Sequence, residues 1–155
     1  MAKVRRFEDL IGWQKARQLA NSVHVLTGHP QFSHDFRLRD QILDAAGSVT
    51  HNIAEGCDAG TDLEFIRFLK MARRSASEVQ SELYLALDRS YITEDELKKT
   101  HALASESKKI INGLIAYLRN YKKSAEHHVS EEVAEYSTNP SMSLPHEFYY
   151  QTNDY

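Results

Sequence analysis

The stretch SVTHNIAEG, residues Ser48–Gly56, continues two stripes of side chains that recur at helical spacing. One stripe is apolar and comprises Ile42, Ala45, Val49 and Ile53. The other is polar and comprises Ser48, Asn52 and Glu55. Small residues at positions 45–47 would let a neighbouring helix approach closely. The pattern predicts a helix seam with polar groups along it, which could form an active site, a ligand site or a network that holds helices in register.

The composition indicates one soluble, helix-rich domain. Of the 155 residues, 41% are hydrophobic and 26% are charged, as in a globular protein with a buried core. Only six Gly and three Pro are present, which favours helices over a turn-rich β fold. The single cysteine, Cys57, excludes an internal disulfide and fits a cytoplasmic environment. Because Glu8 and Asp9 interrupt the N-terminus before any apolar run, we expect neither a signal peptide nor a membrane span.

Charge is distributed unevenly along the chain. Residues 124–155 contain six acids and no Lys or Arg, whereas residues 1–123 hold 19 basic against 16 acidic residues, a balance of +3. The acidic segment also carries Tyr149, Tyr150 and Tyr155. We therefore predict a folded body over residues 1–123 and an acidic, Tyr-rich, mobile C-terminal extension over residues 124–155, with one possible short helix at 129–136.

The first half of the body should form two long helices. Apolar residues recur every three or four positions over 10–23, so the first helix should run from about residue 8 to 27, with Gly28 as its C-cap. The second helix should begin between residues 33 and 39 and end at Gly56.

Two capping boxes open the remaining helices. Thr61 is followed three residues later by Glu64, and Thr93 by Glu96, so each pair can satisfy backbone N–H groups at a helix start. The third helix then holds its period for about six turns, and the fourth continues to Leu118. Because the connections are short, neighbouring helices must be antiparallel. The predicted fold is all-α: an up-down-up-down four-helix bundle with a C-terminal extension.

No constellation of catalytic or metal-binding residues is found. No Glu has a His three residues after it, and the lone His51–Glu55 pair lacks further ligands, so no metal site is predicted. Gly-rich phosphate loops, GxSxG and HExxH motifs are missing. Cys57 should follow a helix C-terminus, whose negative dipole end disfavours a thiolate. We predict a protein that is not an enzyme and uses no cofactor.

Three segments resemble a known protein family. They are FEDLIGWQKARQLANSVHVLT from Phe7, DQILDAAGSVTHNIAEG from Asp40 and EFIRFLKMARRSASEVQSELYLAL from Glu64. In this order they are similar to the four-helix-bundle proteins encoded in intervening sequences of bacterial 23S ribosomal RNA genes. That group includes the accessory variability determinant proteins of diversity-generating retroelements. The resemblance spans residues 7–121, and its most specific parts are the Asn52–Gly56 motif and the run Glu64–Ser75.

The resemblance implies a bundle that assembles into a ring, which is a pentamer in the retroelement proteins. For those proteins it also implies a basic surface that binds nucleic acid, RNA or DNA, and a reverse transcriptase as partner. Apolar residues beyond one stripe per helix would suit such an assembly. They include Leu19, Leu26, Ile110, Leu114 and Tyr117. We therefore expect a homo-oligomer.

One group of candidate residues is structural and consists of Asn52, Glu55, Gly56 and Arg73. A buried Glu55 would need a cation, and Arg67 or Arg73 of the third helix could supply it across the short turn. Asn52 could add a donor and an acceptor to the same network. The alternative is that this polar stripe forms a ligand site.

The other group of candidates would bind nucleic acid. Arg67, Lys70 and Arg74 lie at i, i+3 and i+7, hence on one face of the third helix, and Arg5 and Arg6 precede the first helix. Two functions are consistent with these residues. One is an oligomeric module that binds nucleic acid or a reverse transcriptase through a basic face. The other is a protein-interaction scaffold without nucleic-acid binding, with the Tyr-rich extension as its contact.

Overall fold

The computed structural model describes the backbone of residues 6–138 and the side chains of residues 6–120. Over these residues a short 3-10 turn at Phe7–Asp9 precedes five α-helices and no strand occurs. The helices are α1 (Ile11–Thr27), α2 (Pro30–His34), α3 (Phe36–Asp58), α4 (Asp62–Asp88) and α5 (Glu94–Thr138). The predicted all-α class is confirmed.

The four long helices form the predicted up-down-up-down bundle. Helix α3 packs against both α1 and α4. Helix α5 closes the bundle, because Thr100 Oγ1 lies 2.8 Å from Ser22 Oγ of α1 and Ser105 Oγ accepts a hydrogen bond from Gln80 Nε2 of α4 at 2.8 Å. The connections between consecutive long helices are short, which makes neighbours antiparallel.

The core is mainly aliphatic and is built from a wide stripe on each long helix. Its fully buried members include Leu19, Ile42, Ile53, Leu69, Leu83 and Ile111. The expectation that Leu19 and Leu26 form a second stripe for a neighbouring subunit is wrong, since both are buried in the chain's own core. A helix in a bundle buries a stripe at least about 100° wide, so one row of residues does not fill it. Tyr117 is exposed.

Both predicted capping boxes lie at helix starts. Thr61 Oγ1 accepts the N–H of Glu64 at 3.2 Å. The Thr93–Glu96 box is reciprocal: Thr93 Oγ1 accepts the N–H of Glu96 at 3.3 Å, and Glu96 Oε2 accepts the N–H of Thr93 at 2.8 Å. These bonds satisfy backbone donors that have no partner within the helix.

Helix boundaries differ from the sequence prediction near the N-terminus. Helix α1 begins at Ile11, because the preceding residues form the 3-10 turn and Leu10 is extended. The connection after Gly28 contains the extra helix α2, with Pro30 in its first turn, where a missing N–H is tolerated. Helix α3 then starts at Phe36, capped by Asp35, whose side chain accepts the N–H of Leu38 at 3.2 Å.

Helix α5 is longer than predicted. It continues without a break to Thr138, and no separate helix forms at 129–136. The reason is in the sequence, since residues 114–139 contain neither Gly nor Pro to end the helix. The chain divides into two units, residues 1–118 and residues 119–155. That residues 124–155 form a separate mobile segment stays a prediction.

Candidate nucleic-acid interface

The polar stripe of α3 does not form the predicted ion pair. Asn52 is buried, but its Nδ2 donates to the carbonyl oxygen of Ser48 at 2.7 Å within the same helix. Glu55 is exposed and has no hydrogen bond or ion pair with any described residue. Arg73 Nη1 donates instead to Asn112 Oδ1 of α5 at 3.0 Å. The expected contact of Glu55 with Arg67 or Arg73 is therefore wrong.

The geometry around Gly56 explains this. A Cβ at position 56 would lie 2.7 Å from Phe65 Cδ2 and 2.7 Å from Phe68 Cβ, so this side of α3 faces α4. Glu55 is one residue away, about 100° around the helix, and points to solvent. Arg73 lies five residues beyond Phe68, more than a turn from the level of Glu55. The motif therefore has a structural role, because Gly56 allows α3 and α4 to pack closely.

The outer face of α4 carries cations without partners. Arg67, Lys70 and Arg74 are all exposed, and none makes a hydrogen bond or ion pair with a described residue. They lie opposite the face that buries residues such as Leu69 and Ala76, which is the consequence of the helical period. The predicted row of three basic side chains on one side of the helix is present.

Arg6, one of the two predicted N-terminal arginines, is already paired with an acid. Arg6 is exposed, but its Nη2 pairs with Glu8 Oε1 at 3.1 Å. That hydrogen bond holds the pKa of the Glu8 carboxyl below its ordinary value, so the pair stays ionised near neutral pH. Arg5 lies outside the described residues.

Two lysines of α5, Lys108 and Lys109, lie beside this row of α4 cations. The Arg73–Asn112 bond and the Gln80–Ser105 bond set the two helices in register, so residues 67–77 lie along residues 108–118. Neither segment contains an acid. Their basic residues form what we call the α4–α5 basic surface: Arg67, Lys70, Arg73, Arg74, Lys108 and Lys109.

The members of this surface differ in how firmly they are held. Lys108 is half-buried, and its Nζ donates to Gln80 Oε1 at 3.0 Å, whereas Lys109 is exposed without a partner among the described residues. The adjoining acid Glu106 is paired with Lys15 at 3.1 Å. Six positive charges on two adjacent helix segments without an acid create a local positive potential.

Sequence reasoning missed Arg73, Lys108 and Lys109 as members of this surface. The sequence pattern predicts a contact of Arg73 with Glu55. It does not give the register of α4 against α5, which places the two lysines beside Arg73. The signal that would have found them is the lack of acids in both segments, combined with antiparallel pairing across the short α4–α5 connection.

The remaining chemistry of the described residues is sparse. No group of three His, Cys, Asp or Glu side chains among them is placed to hold a metal ion. Burial and the neighbouring Asp58 raise the pKa of the Cys57 thiol, so the reactive thiolate is disfavoured. None of the described helices is long and apolar enough to cross a membrane.

The fold places this protein among small antiparallel helical bundles, and its exposed surface includes the α4–α5 basic surface. The family model described as 23S rRNA-intervening sequence protein matches residues 8–113. The match covers more than half of the chain, and the protein belongs to this family, as the sequence resemblance predicted.

A solved structure supports the same fold. It is that of a protein of unknown function from the S23 ribosomal protein family of Bacteroides thetaiotaomicron, which is 24% identical to this chain. The alignment covers 68% of this chain and 98% of that chain, with a TM-score of 0.63. No curated protein matches the sequence.

Proposed function

We propose that the protein is a non-enzymatic, homo-oligomeric helical module that binds the phosphate backbone of nucleic acid through the α4–α5 basic surface. The observation that carries the proposal is the row formed by Arg67, Lys70 and Arg74, which are exposed and unpaired among the described residues. Unpaired cations can neutralise phosphates and release counterions, which is the main source of sequence-independent affinity for nucleic acids.

The binding mode follows from the kind of side chains present. Arg and Lys at the outer face of a helix reach phosphates, whereas sequence discrimination needs contacts to base edges in a groove. The α4–α5 basic surface lies on the flank of two packed helices. Binding should therefore tolerate changes of sequence and weaken steeply with salt, with a log–log slope of about −0.7 to −0.9 per phosphate neutralised.

Assembly into a homo-oligomer, as a ring of five, belongs to the same proposal. Its support is the family resemblance together with large apolar side chains that remain exposed on the single chain, including Ile11, Val25 and Leu63 at 64%, 67% and 68% exposure. In a ring, one basic surface per subunit would repeat with the symmetry. A reverse transcriptase, the partner that the resemblance implies, would bring its RNA or DNA to this surface.

The test is a binding titration with labelled RNA and DNA oligonucleotides at low salt, on the full chain. The parent should bind, and the triple variant Arg67→Glu, Lys70→Glu, Arg74→Glu should lose binding while light scattering shows an unchanged oligomer. The matched control reverses three exposed cations elsewhere, Arg37, Lys98 and Lys99, and should retain most of the affinity. No binding by the parent, or an equal loss in the control, would overturn the proposal.

A protein-interaction scaffold is the second candidate. The observation that favours it is the exposure of Leu63 and Met71 on the same side of α4 as the cations, at 68% and 42%. Exposed apolar residues next to charged ones are common where proteins bind each other. If neither RNA nor DNA binds, the protein-interaction scaffold becomes the favoured function. If Leu63→Ser with Met71→Ser leaves nucleic-acid affinity unchanged, the two apolar residues do not contribute to nucleic-acid binding.

A further inference from the structure

We propose that the outward side of helix α1 is a contact surface for a second copy of this chain, so that two α1 helices pack against each other. The α1 strip that makes this contact consists of Ile11, Gln14, Gln18, Asn21 and Val25, which are all exposed. The inference goes beyond the proposed function. A surface that contacts its own copy joins chains in pairs, whereas a ring of five is closed by contacts between two different surfaces.

The residues of the α1 strip follow the spacing of a coiled-coil seam. They are separated by three, four, three and four positions, which is the spacing of the a and d positions of a heptad repeat. This spacing sets five side chains in one narrow line about 21 Å long. The other side of α1 is buried in the bundle with Ala16, Leu19 and Val23. Helix α1 therefore carries a second, narrower seam in addition to its core stripe.

The chemistry of the α1 strip is complementary to itself. Ile11 and Val25 at its two ends are apolar and remain 64% and 67% exposed in the single chain. The three residues between them are carboxamides, each of which can both donate and accept hydrogen bonds. When a two-fold axis pairs two such strips, apolar ends meet apolar ends and amides meet amides. A polar residue within such a seam fixes the register of paired helices at some cost in stability.

The charges around the α1 strip favour a second copy over a charged partner. Residues 10–34 contain no Asp or Glu, and none of the five strip residues is ionisable. The strip therefore offers no charge to attract phosphates or a charged peptide, whereas two uncharged strips can approach without repulsion. On one flank Lys15 is paired with Glu106 at 3.1 Å. On the other flank the Arg17 guanidinium lies 5.9 Å from the centre of the Trp13 ring, on the side of the helix away from Ile11.

A shallow cavity in the middle of the α1 strip gives space for side chains of the second copy. Its volume is about 280 Å³, and it is lined by Gln14, Arg17, Gln18 and Asn21. Gln14 Nε2 donates to the carbonyl oxygen of Glu8 at 2.9 Å, which orients the amide and leaves its Oε1 as an acceptor. Side chains of one helix insert into such spaces on the other when helices pair along a seam. The seam is short beside standard interfaces, which bury about 800 Å² per partner, so we expect a dissociation constant in the micromolar range.

The first experiment is disulfide cross-linking at the centre of the α1 strip. Gln18 is the middle residue, so it meets the Gln18 of the second copy in either direction in which a two-fold axis can pair the strips. Gln18→Cys combined with Cys57→Ser, with copper phenanthroline as the oxidant, should run as a covalent dimer on a non-reducing gel. Ser81→Cys with Cys57→Ser is the matched control, because Ser81 is exposed on α4, and it should run as a single chain.

The second experiment measures the assembly without a cross-link. Sedimentation velocity of the unmodified chain should show species with an even number of chains, which grow as the concentration rises through the micromolar range. Ile11→Lys with Val25→Lys should lose these species and should also abolish the cross-link at Gln18→Cys, because it places like charges at the ends of the seam. Leu63→Lys with Leu85→Lys, which changes two exposed apolar residues of α4, should keep both. Circular dichroism of each variant establishes that the exposed substitutions leave the bundle folded.

The outcomes separate this inference from the proposed function. A cross-link as efficient at Ser81→Cys as at Gln18→Cys, or one that survives Ile11→Lys with Val25→Lys, would overturn the pairing of α1 helices. A parent that sediments only as a single chain, or only as a ring of five, would overturn it as well. None of these measurements involves RNA or DNA, so nucleic-acid binding by the α4–α5 basic surface is decided by its own titration.

Discussion

Gly56 of α3 lies so close to Phe68 of α4 that a Cβ at position 56 would stand 2.7 Å from the Cβ of Phe68. The ring of Phe65 is equally close, at 2.7 Å from its Cδ2. A phenylalanine ring can rotate away, but a Cβ is attached to the backbone and moves only with the helix. The missing side chain at position 56 therefore sets the distance between α3 and α4 at the end of the seam.

We predict that Gly56→Ala destabilises the protein by about 1–3 kcal/mol, because overpacking outweighs the higher helix propensity of alanine. Urea unfolding followed by circular dichroism measures the change. The matched control is Gly113→Ala in α5, where an added Cβ meets nothing within 4 Å. It should stabilise the helix by up to about 1 kcal/mol. If both variants gain stability, the close approach at Gly56 does not constrain the helices.

The seam around Gly56 shows what sequence reasoning can establish. Helical spacing identified the helix and its apolar stripe, and the nearby small residues indicated close packing. Periodicity did not resolve which polar residue turns inward, because Asn52 and Glu55 lie only about 60° apart around the helix. The structure buries Asn52, whose amide donates to the backbone carbonyl of Ser48 in the same helix, and exposes Glu55. This angle of about 60° is smaller than the width of the buried stripe, so the helical period alone allows either residue to be buried.

The basic surface shows a different limit. The row of Arg67, Lys70 and Arg74 on α4 needed only the period of one helix and was predicted. The position of Lys109 beside this row depends on the register between α4 and α5, which side-chain contacts such as Arg73–Asn112 determine. No local pattern encodes that contact, so Lys109 could not be joined to Arg74 from the sequence. The fold could therefore be predicted from the pattern within each segment. The complete basic surface also depends on how α4 packs against α5.

Helix α4 ends in a turn that places a non-glycine residue in the left-handed region. Ser90 has φ 59°, while Tyr91 N–H bonds to the carbonyl of Ala86 at 2.9 Å and Ser90 N–H to that of Leu87 at 2.8 Å. These two bonds are a Schellman motif, in which glycine is favoured at the left-handed position. Ser90→Gly should raise the free energy of unfolding by about 0.5–1 kcal/mol. Ser90→Ala should not, and a thermal melt in which both variants match the parent would contradict the strain at this residue.

Asp35 joins the start of α3 to the connection between α4 and α5. Its carboxylate accepts the N–H of Leu38 at 3.2 Å, the hydroxyl of Tyr91 at 3.1 Å and the guanidinium of Arg89. The bond from Leu38, followed by those from Arg89 and Tyr91, holds the pKa of Asp35 below its ordinary value. A carboxyl with a lowered pKa stabilises the fold above its unfolded pKa of about 3.9 and loses that contribution as pH falls through its folded pKa.

Asp35→Asn should therefore be less stable than the parent near neutral pH, and the difference should shrink in acid, where Asp35 becomes protonated. Asparagine keeps an oxygen to cap α3, so the variant isolates the charge. Urea unfolding at neutral and at acidic pH measures both stabilities. Asp40→Asn is the control, because Asp40 is an exposed carboxylate that pairs, among the described residues, with the adjacent Arg39. A stability difference between the parent and Asp35→Asn that is independent of pH would contradict the role of the ionised carboxylate.

Glu82 of α4 is a carboxyl whose pKa is raised, in contrast to that of Asp35. It is 7% exposed, and its Oε2 is buried without a hydrogen-bond partner among the described residues. Burial, and then the nearby Glu78, raise the pKa of the Glu82 carboxyl, with Arg89 offsetting part of the effect. The folded state therefore binds this proton more tightly than the unfolded chain does.

The sign of the resulting pH dependence follows from the two ionisation equilibria. As pH rises through the unfolded pKa of about 4.3, Glu82 ionises first in the unfolded chain, so its contribution to stability falls until the folded pKa is passed. Glu82→Gln removes this titration while keeping the shape of the side chain. We expect the stability of the variant relative to the parent to rise with pH above about 4 until the folded pKa of Glu82 is passed, measured by urea unfolding from acidic to neutral pH. The control is Glu78→Gln, which keeps the buried carboxyl of Glu82 and should change the relative stability less. Parallel pH profiles for Glu82→Gln and the parent would contradict the prediction, because they would show that Glu82 ionises equally easily in the folded and unfolded states.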